Sequence, residues 1–211
     1  MVTKLQLYNG ALSHIGTTRL ADLTVNEGPR YELDAVYDHC LQFMLEQGLW
    51  KFAKRTARLE PDADYEPDFG PAYAYTMPTD FVRLAGIATD EYFRSELLDY
   101  REENGVWYTD SSLIYVSWIS NGAEFGLDLG LYPSNYVESL QAYMAFKTTL
   151  QISKDRGDRN TIYQYFQRFL AQSRRLDAVD EAVKWKPAGS WGQSRGGSPC
   201  VNFRNGRMSI R

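Results

Sequence analysis

The chain has 211 residues, 44% of them apolar and 14% aromatic, with a net charge of −4. That length buries a real core without disulfide staples and fits one domain, or one domain with an appendage. No stretch approaches the roughly 18 consecutive apolar residues of a membrane span. The two cysteines, Cys40 and Cys200, lie far apart, so a disulfide framework is not expected. The amino terminus lacks the apolar core and cleavage site of a signal peptide, so the protein is expected to mature where it is made or to leave as part of something larger.

Charge is unevenly placed. Residues 184–211 carry six bases and no acid, which leaves 17 basic against 27 acidic residues in 1–183, a balance of −10. An acidic body argues against duplex binding by the fold as a whole, because neutralising phosphates needs clustered cations.

Residues 3–16 read as a first helix, with Leu5, Tyr8, Leu12 and Ile15 on one face and Gly16 as its stop. After a connector at 17–25 comes a longer helix at 26–47. Leu33, Val36, Tyr37, Cys40, Phe43 and Met44 supply its apolar face. Thr24 with Glu27, or Asn26, is expected to cap its start, Pro29 suits the first turn, and Gly48 suits a left-handed stop. Trp50 and Phe52 then bring a large apolar payload to the corner where the chain leaves the helices.

From about 54 to 120 the period changes. Short runs rich in aromatic and branched residues occur at 72–77, 81–88, 96–101, 106–109 and 113–119, bounded by turn signals. Asn104-Gly105 marks a hairpin, because both residue types accept positive φ. The segment reads as an antiparallel meander of four to six strands. An acidic, proline-bounded loop at 61–71 contains Asp62, Asp64, Glu66 and Asp68.

Helical spacing returns after Pro133. Val137, Leu140, Met144, Thr148 and Gln151 mark one side of a third helix at 134–153, with Tyr136, Tyr143 and Phe146 extending the arc. A fourth helix at 158–183 shows Ile162, Phe166, Phe169, Leu170 and Leu176. The expected fold class is α+β: an antiparallel bundle of about four helices with an antiparallel β-sheet inserted between helices 2 and 3, plus an extended C-terminal arm. The Gly/Ser-rich arm at 184–211 has too few apolar residues for its own core. It nevertheless carries Trp185, Trp191, Phe203 and Ile210 among its cations, a pattern suited to becoming ordered on a partner rather than to a plain disordered tail.

Chemistry is sparse. His14 and His39 lie in helices, and neither shares a metal-ligand spacing with a cysteine. Asp34 and Asp38, one turn apart, read as solvated acids on a polar face. No nucleophile elbow, phosphate loop or dinucleotide fingerprint is present. Catalytic residues, metal ligands and cofactors are therefore not expected.

Several pieces of this pattern occur together in one known family. They are Leu7-Tyr-Asn-Gly-Ala-Leu12 with His14-Ile-Gly16 and Leu20-x-x-Leu23; Tyr37-Asp38 and Gly48-Leu-Trp50-Lys-Phe52-Ala53-Lys-Arg55, with Ala57 and Leu59 after it; Tyr73-Ala-Tyr75-x-Met-Pro78-x-Asp80-Phe-Val-Arg83; and Tyr108-Thr-Asp110 with Tyr115. In these residues the chain resembles the head-to-tail adaptors of short-tailed bacteriophages, the tail tubular protein A type, over roughly residues 3–183. The Trp50, Phe52, Tyr75, Pro78 and Asp80 combination is the most specific part, as packing residues of the family motif. Tyr115-Val-Ser-Trp118-Ile stands where the family often has a Tyr-Ile or Tyr-Val pair. The stretch at 122–130 does not align, and the basic tail lies outside the match.

The resemblance implies a noncatalytic virion protein of the neck, assembled in the host cytoplasm. It implies a dodecameric ring of copies below the portal, joined to the portal protein above and the tail nozzle protein below. Genomic DNA would pass through the lumen without specific binding, which an acidic body favours. No membrane is involved. The arm is the candidate for contact with the portal or a neighbouring subunit through Lys184, Trp185, Lys186, Trp191, Arg195, Phe203, Arg204, Arg207 and Arg211. Two readings compete: a virion-associated glycan hydrolase using Asp34, Asp38 or the acidic loop, and a DNA-binding helical module using the basic tail.

Overall fold

The structure is a computed structural model that describes residues 2–24, 26–63, 65, 70–153 and 156–179. It is an α+β protein with four helices and two small antiparallel sheets among those residues.

Helix α1 spans Lys4–Ile15. Thr3 and Gln6 cap it reciprocally: the Gln6 N–H donates to Thr3 Oγ1 at 3.3 Å, and the Thr3 N–H donates to Gln6 Oε1 at 3.0 Å. Gly16, at φ 78°, closes it in the left-handed region as expected. Its buried arc is Leu7, Tyr8, Ala11, Leu12 and Ile15, so Leu7 takes the central place expected of the half-buried Leu5.

Helix α2 spans Gly28–Glu46, and here two expectations fail. Its N-cap is Glu27, without a side-chain cap; the Asn26 side-chain Oδ1 instead accepts from the Tyr31 hydroxyl. Gly48 is not left-handed, and the helix ends through Gln47 in the right-handed region. The reason for glycine at 48 is close approach, since a Cβ there would lie 2.8 Å from the Trp50 indole.

A 3-10 turn at Lys51–Ala53 leads into the strands β1 (Lys54–Leu59), β2 (Tyr73–Thr76), β3 (Phe81–Ala88), β4 (Arg101–Glu103), β5 (Val106–Thr109) and β6 (Ile114–Ser120). They do not form one meander. One sheet has the order β1-β6-β3 and the other β2-β5-β4. The first and last strands of the insertion pair directly, Lys54 opposite Ile119 and Leu59 opposite Ile114. Burial explains why β6 is central: Ile114, Val116, Ser117, Trp118, Ile119 and Ser120 are all buried, so its backbone needs a neighbour on both sides. The two sheets share an apolar cluster of Tyr75, Trp107, Ile87, Ile114, Val116 and Trp118.

Within the insertion the Asn104-Gly105 turn forms as expected, at φ 46° and 78°. The expected strand at 96–101 is instead a loop, paired with β3 at the bridge between Ala88 and Glu96 before β4 starts at Arg101.

Helix α3 spans Ser134–Ile152 and α4 spans Arg156–Val179. The surround of α3 is broader than one face: Tyr136, Val137, Ser139, Leu140, Ala142, Tyr143, Met144, Ala145, Thr148 and Thr149 are all buried, while Gln151 is exposed. Its buried serine and threonine hydroxyls are satisfied within the helix, Ser139 donating to the Tyr136 carbonyl at 2.8 Å and Thr148 to that of Met144 at 2.9 Å. On α4, Ile162, Phe166 and Leu170 are buried as expected, Phe169 is half-buried, and Leu176 is exposed. The helical core gathers α1, α2, α3 and α4 around Leu7, Leu12, Leu33, Met44, Leu140 and Phe166. The expected end of the fourth helix near 183 lies outside the described residues.

Candidate functional site

Four of the five most specific motif residues, Trp50, Phe52, Pro78 and Asp80, lie at the joint where the helices hand the chain to the sheets and take it back. Four aromatic rings form its helical side. Trp50 is buried and donates its indole N–H to the Met44 carbonyl at 2.8 Å, which locks the corner after α2. Its ring meets Tyr136 edge-on at 4.9 Å. Phe52 meets Tyr136 at 4.8 Å and Tyr132 at 5.0 Å, and the two tyrosines meet each other at 4.8 Å. The Tyr132 hydroxyl donates to the Gly126 carbonyl at 2.6 Å, tying the 122–130 stretch to the same box. Burial pushes both Tyr132 and Tyr136 above the ordinary phenol range, so these are fixed neutral rings.

The sheet side is built on Asp80. The Phe81 N–H donates to the Pro78 carbonyl at 3.0 Å, closing a tight turn that aims Asp80 inward. Its carboxylate accepts from Arg55 Nη1 at 2.8 Å and from the Ser120 hydroxyl, while its backbone carbonyl accepts from the Asn121 N–H at 3.0 Å. Ser120 Oγ in turn accepts from the Gly122 N–H at 2.9 Å. The Arg55 guanidinium also lies over the rings of Trp118 at 5.4 Å and Phe125 at 5.3 Å. Burial raises the Asp80 pKa, but the bonds from Ser120 and Arg55 and the guanidinium charge outweigh it and hold the carboxyl below its ordinary value. Nearby, a Cβ on Gly126 would lie 2.1 Å from the Ser120 carbonyl oxygen, so only glycine lets the returning chain pass β6.

Tyr75 lies apart from this joint, in the core between the sheets. It is fully buried and donates to the Ser111 carbonyl at 2.6 Å, with its hydroxyl pushed up to about 12 by burial.

Two residues of the first motif have roles that spacing alone did not reveal. Asn9 grips the connector twice: its amide donates to the Leu20 carbonyl at 3.0 Å, and the Leu20 N–H donates to its Oδ1 at 2.8 Å. Gly10 is where α3 approaches α1, since a Cβ there would fall 2.1 Å from the Gln141 side chain.

Asp34 is not merely a solvated acid. It accepts from the Tyr8 hydroxyl at 2.5 Å and pairs with Lys4 at 3.0 Å and Arg30 at 3.1 Å, fastening α1 to α2. Burial raises its pKa, but those three partners outweigh it and leave the carboxyl lowered. That is the wrong direction for a general acid. Asp38 is exposed, and Asp62 accepts from Thr76 Oγ1 at 2.5 Å. Asp64, Glu66 and Asp68 lie outside the described residues. His39 is exposed, and His14 lies 3.9 Å from Glu138 at a polar groove of about 460 Å³ that Asn9, Arg19 and Gln141 also line.

Among the described residues no group of three or more histidine, cysteine, aspartate or glutamate side chains is placed to hold a metal ion. No described helix is long and apolar enough to cross a membrane. The arm residues Lys184, Trp185, Lys186, Trp191, Arg195, Phe203, Arg204, Arg207 and Arg211 lie outside the described residues. The class of protein that these observations define is an α+β protein whose helices and inserted strands are wired together at one aromatic and ionic joint. No protein-family model matches the chain, and no curated protein matches it.

Proposed function

We propose that the chain is a structural head-to-tail adaptor of a short-tailed phage virion. Copies form a ring below the portal, join it to the tail nozzle and surround the DNA channel. The observation that supports this reading is the convergence of Trp50, Phe52, Pro78 and Asp80, quoted from separate parts of the motif, on the single joint between helices and strands. Such a joint fixes the orientation of the insertion on its bundle, which a ring subunit with contacts on two levels requires. The acidic balance of residues 1–183 favours a lumen through which DNA slides, because like charge suppresses binding.

Mass photometry of the full chain, alone and with its cognate portal ring, tests the reading. Many copies are expected to add to each portal. A chain that stays monomeric and never joins the portal overturns it. Loss of joining on deletion of residues 186–211 would assign the arm to this contact, and unimpaired joining would remove that assignment.

A further inference from the structure

The two most exposed large apolar residues described in the insertion share one loop, between β3 and β4. Leu98 is 84% exposed and Tyr92 is 67% exposed. The loop holds these side chains outward on a fixed frame. The Asp90 carboxylate accepts from the Arg94 N–H at 3.0 Å and the Ser95 N–H at 2.7 Å, and the Thr89 N–H donates to the Ser95 carbonyl at 3.1 Å. The Leu97 N–H donates to the Ile87 carbonyl at 2.9 Å. Phe93 sits at φ 53°, a strained position for a bulky side chain and one that tends to mark function. Internal contacts consume both Asp90 and Arg94, whose guanidinium lies over the Tyr92 ring at 5.2 Å. The charges left facing solvent beside the apolar pair include the acids Glu91 and Asp99. Asp99, with Tyr100 and Asp110, also lines a recess of about 260 Å³ next to Leu98.

A surface of the opposite kind runs along α4. At about 100° per residue, Tyr165, Arg168, Gln172, Arg175 and Leu176 fall on one stripe. All five are exposed, and from Tyr165 to Leu176 the stripe carries no acid. Arg174, on the other side of the helix, is used internally by Gln47 at 3.0 Å. One surface is apolar and acidic, the other apolar and basic. Their exposure shows that they do not cover each other within a chain: α4 packs on α3 through Phe166 and Tyr143, while the loop lies at the end of β3, roughly 25 Å along the strand from the Asp80 turn.

We propose that the 89–100 loop of one copy docks on the exposed face of α4 of a second copy. Leu98 and Tyr92 bury against Tyr165 and Leu176, and Glu91 and Asp99 face Arg168 and Arg175. The contact is heterologous, so each copy offers one loop and one helix face, and repetition gives a ring or an open chain. Closure into a ring rests on the adaptor reading; the pairing itself does not.

Sedimentation of the full chain tests this, over a concentration series at low and high salt. The mass is expected to rise with concentration and to fall with added salt. Leu98→Asp, which puts a charge where the apolar anchor must bury against Tyr165 and Leu176, and separately Arg168→Glu with Arg175→Glu, which brings like charges together with Glu91 and Asp99, should each lower the association constant at least about tenfold. Both sets lie on exposed positions, and an unchanged thermal melt verifies the fold. Mixing the two variants is decisive. The intact helix face of the first fits the intact loop of the second, so the mixture should form dimers and nothing larger. Variants that associate like the wild type, a mixture that stays monomeric, or a wild type that is monomeric throughout would each overturn the pairing. Portal binding by a chain that does not self-associate removes this inference and leaves the adaptor reading standing; self-association without portal binding does the reverse.

Discussion

Replacing Asp80 with asparagine keeps the size of the side chain at the joint and removes its charge. The carboxylate is only 15% exposed and holds Arg55 and Ser120 together, so two charge-assisted bonds become neutral or are lost. A hydrogen bond to a charged group contributes about 1.5–3 kcal/mol. Arg55 is 44% exposed and can return to water, which discounts its share to the level of a surface ion pair, about 0.5 kcal/mol. The expected loss for Asp80→Asn is therefore about 1.5–2.5 kcal/mol at pH 7. The sign with pH follows from the lowered folded-state pKa. Such a group contributes stability above its unfolded value of about 4, and the contribution fades as pH falls through the folded value. Urea unfolding of wild type and variant at pH 7, 5 and 3 should show the gap at full size at the first two and reduced at the third. Asp34 and Asp90 are also lowered and weaken both proteins alike in acid, so the difference isolates Asp80. A gap below about 0.5 kcal/mol at pH 7, or one unchanged at pH 3, would refute the account of the joint.

Other changes probe the remaining contacts. Gly126→Ala forces a Cβ against the Ser120 carbonyl and should lose at least about 2 kcal/mol in thermal or urea unfolding. Gly48→Ala should lose about 1–3 kcal/mol and shift tryptophan emission, because its Cβ meets the Trp50 ring, whereas Gly16→Ala meets no atom and should lose only about 1–2 kcal/mol from its left-handed backbone, with emission unchanged. Asn9→Ala removes both bonds to Leu20 and should lose about 1–3 kcal/mol, with faster proteolysis in the 17–25 connector. In a Cys200→Ser background, burial pushes the Cys40 thiol up to about 12, so native protein at pH 8 should react with a disulfide reagent at least roughly a hundredfold more slowly than protein in urea.

The sequence was most legible where structure is local. Asn104-Gly105 needs only its own two residues to take positive φ, and Gly16 only its own helix end. Reading failed where a distant contact decided the outcome. Gly48 carries the same local signal as Gly16, yet it serves the approach of Trp50, which no helix-stop rule encodes. The pairing of β1 with β6 joins residues some sixty apart, and the alternative of neighbour pairing satisfies the same alternation of residues. The arc of α3 was drawn too narrow because Ser139 and Thr149 read as polar, although hydroxyls bonded to their own helix carbonyls can be buried freely. The motif residues themselves were found, Arg55 among them, but Tyr132, Tyr136 and Ser120, which complete the joint, stand in stretches whose partners become visible only once the chain is folded.

That division bears on what a resemblance of this kind can carry. Trp50 and Tyr75 are buried, and Phe52, Pro78 and Asp80 are largely so; each is spent on holding one part of the chain to another. A motif made of such residues specifies a shape, because losing any one of them leaves a cavity or an unpaired charge. It does not specify what the shape binds, since none of the five presents a free surface. Partner choice must therefore reside in residues that the motif leaves open, among them Leu98, Tyr92 and the basic stripe of α4. Substitutions at the joint should accordingly weaken folding and all binding together. Substitutions on the loop or stripe should leave the melt intact and separate one contact from another. A joint variant that folds as well as the wild type yet loses one partner selectively would contradict this division, and differential scanning calorimetry run beside each binding measurement is the way to see it.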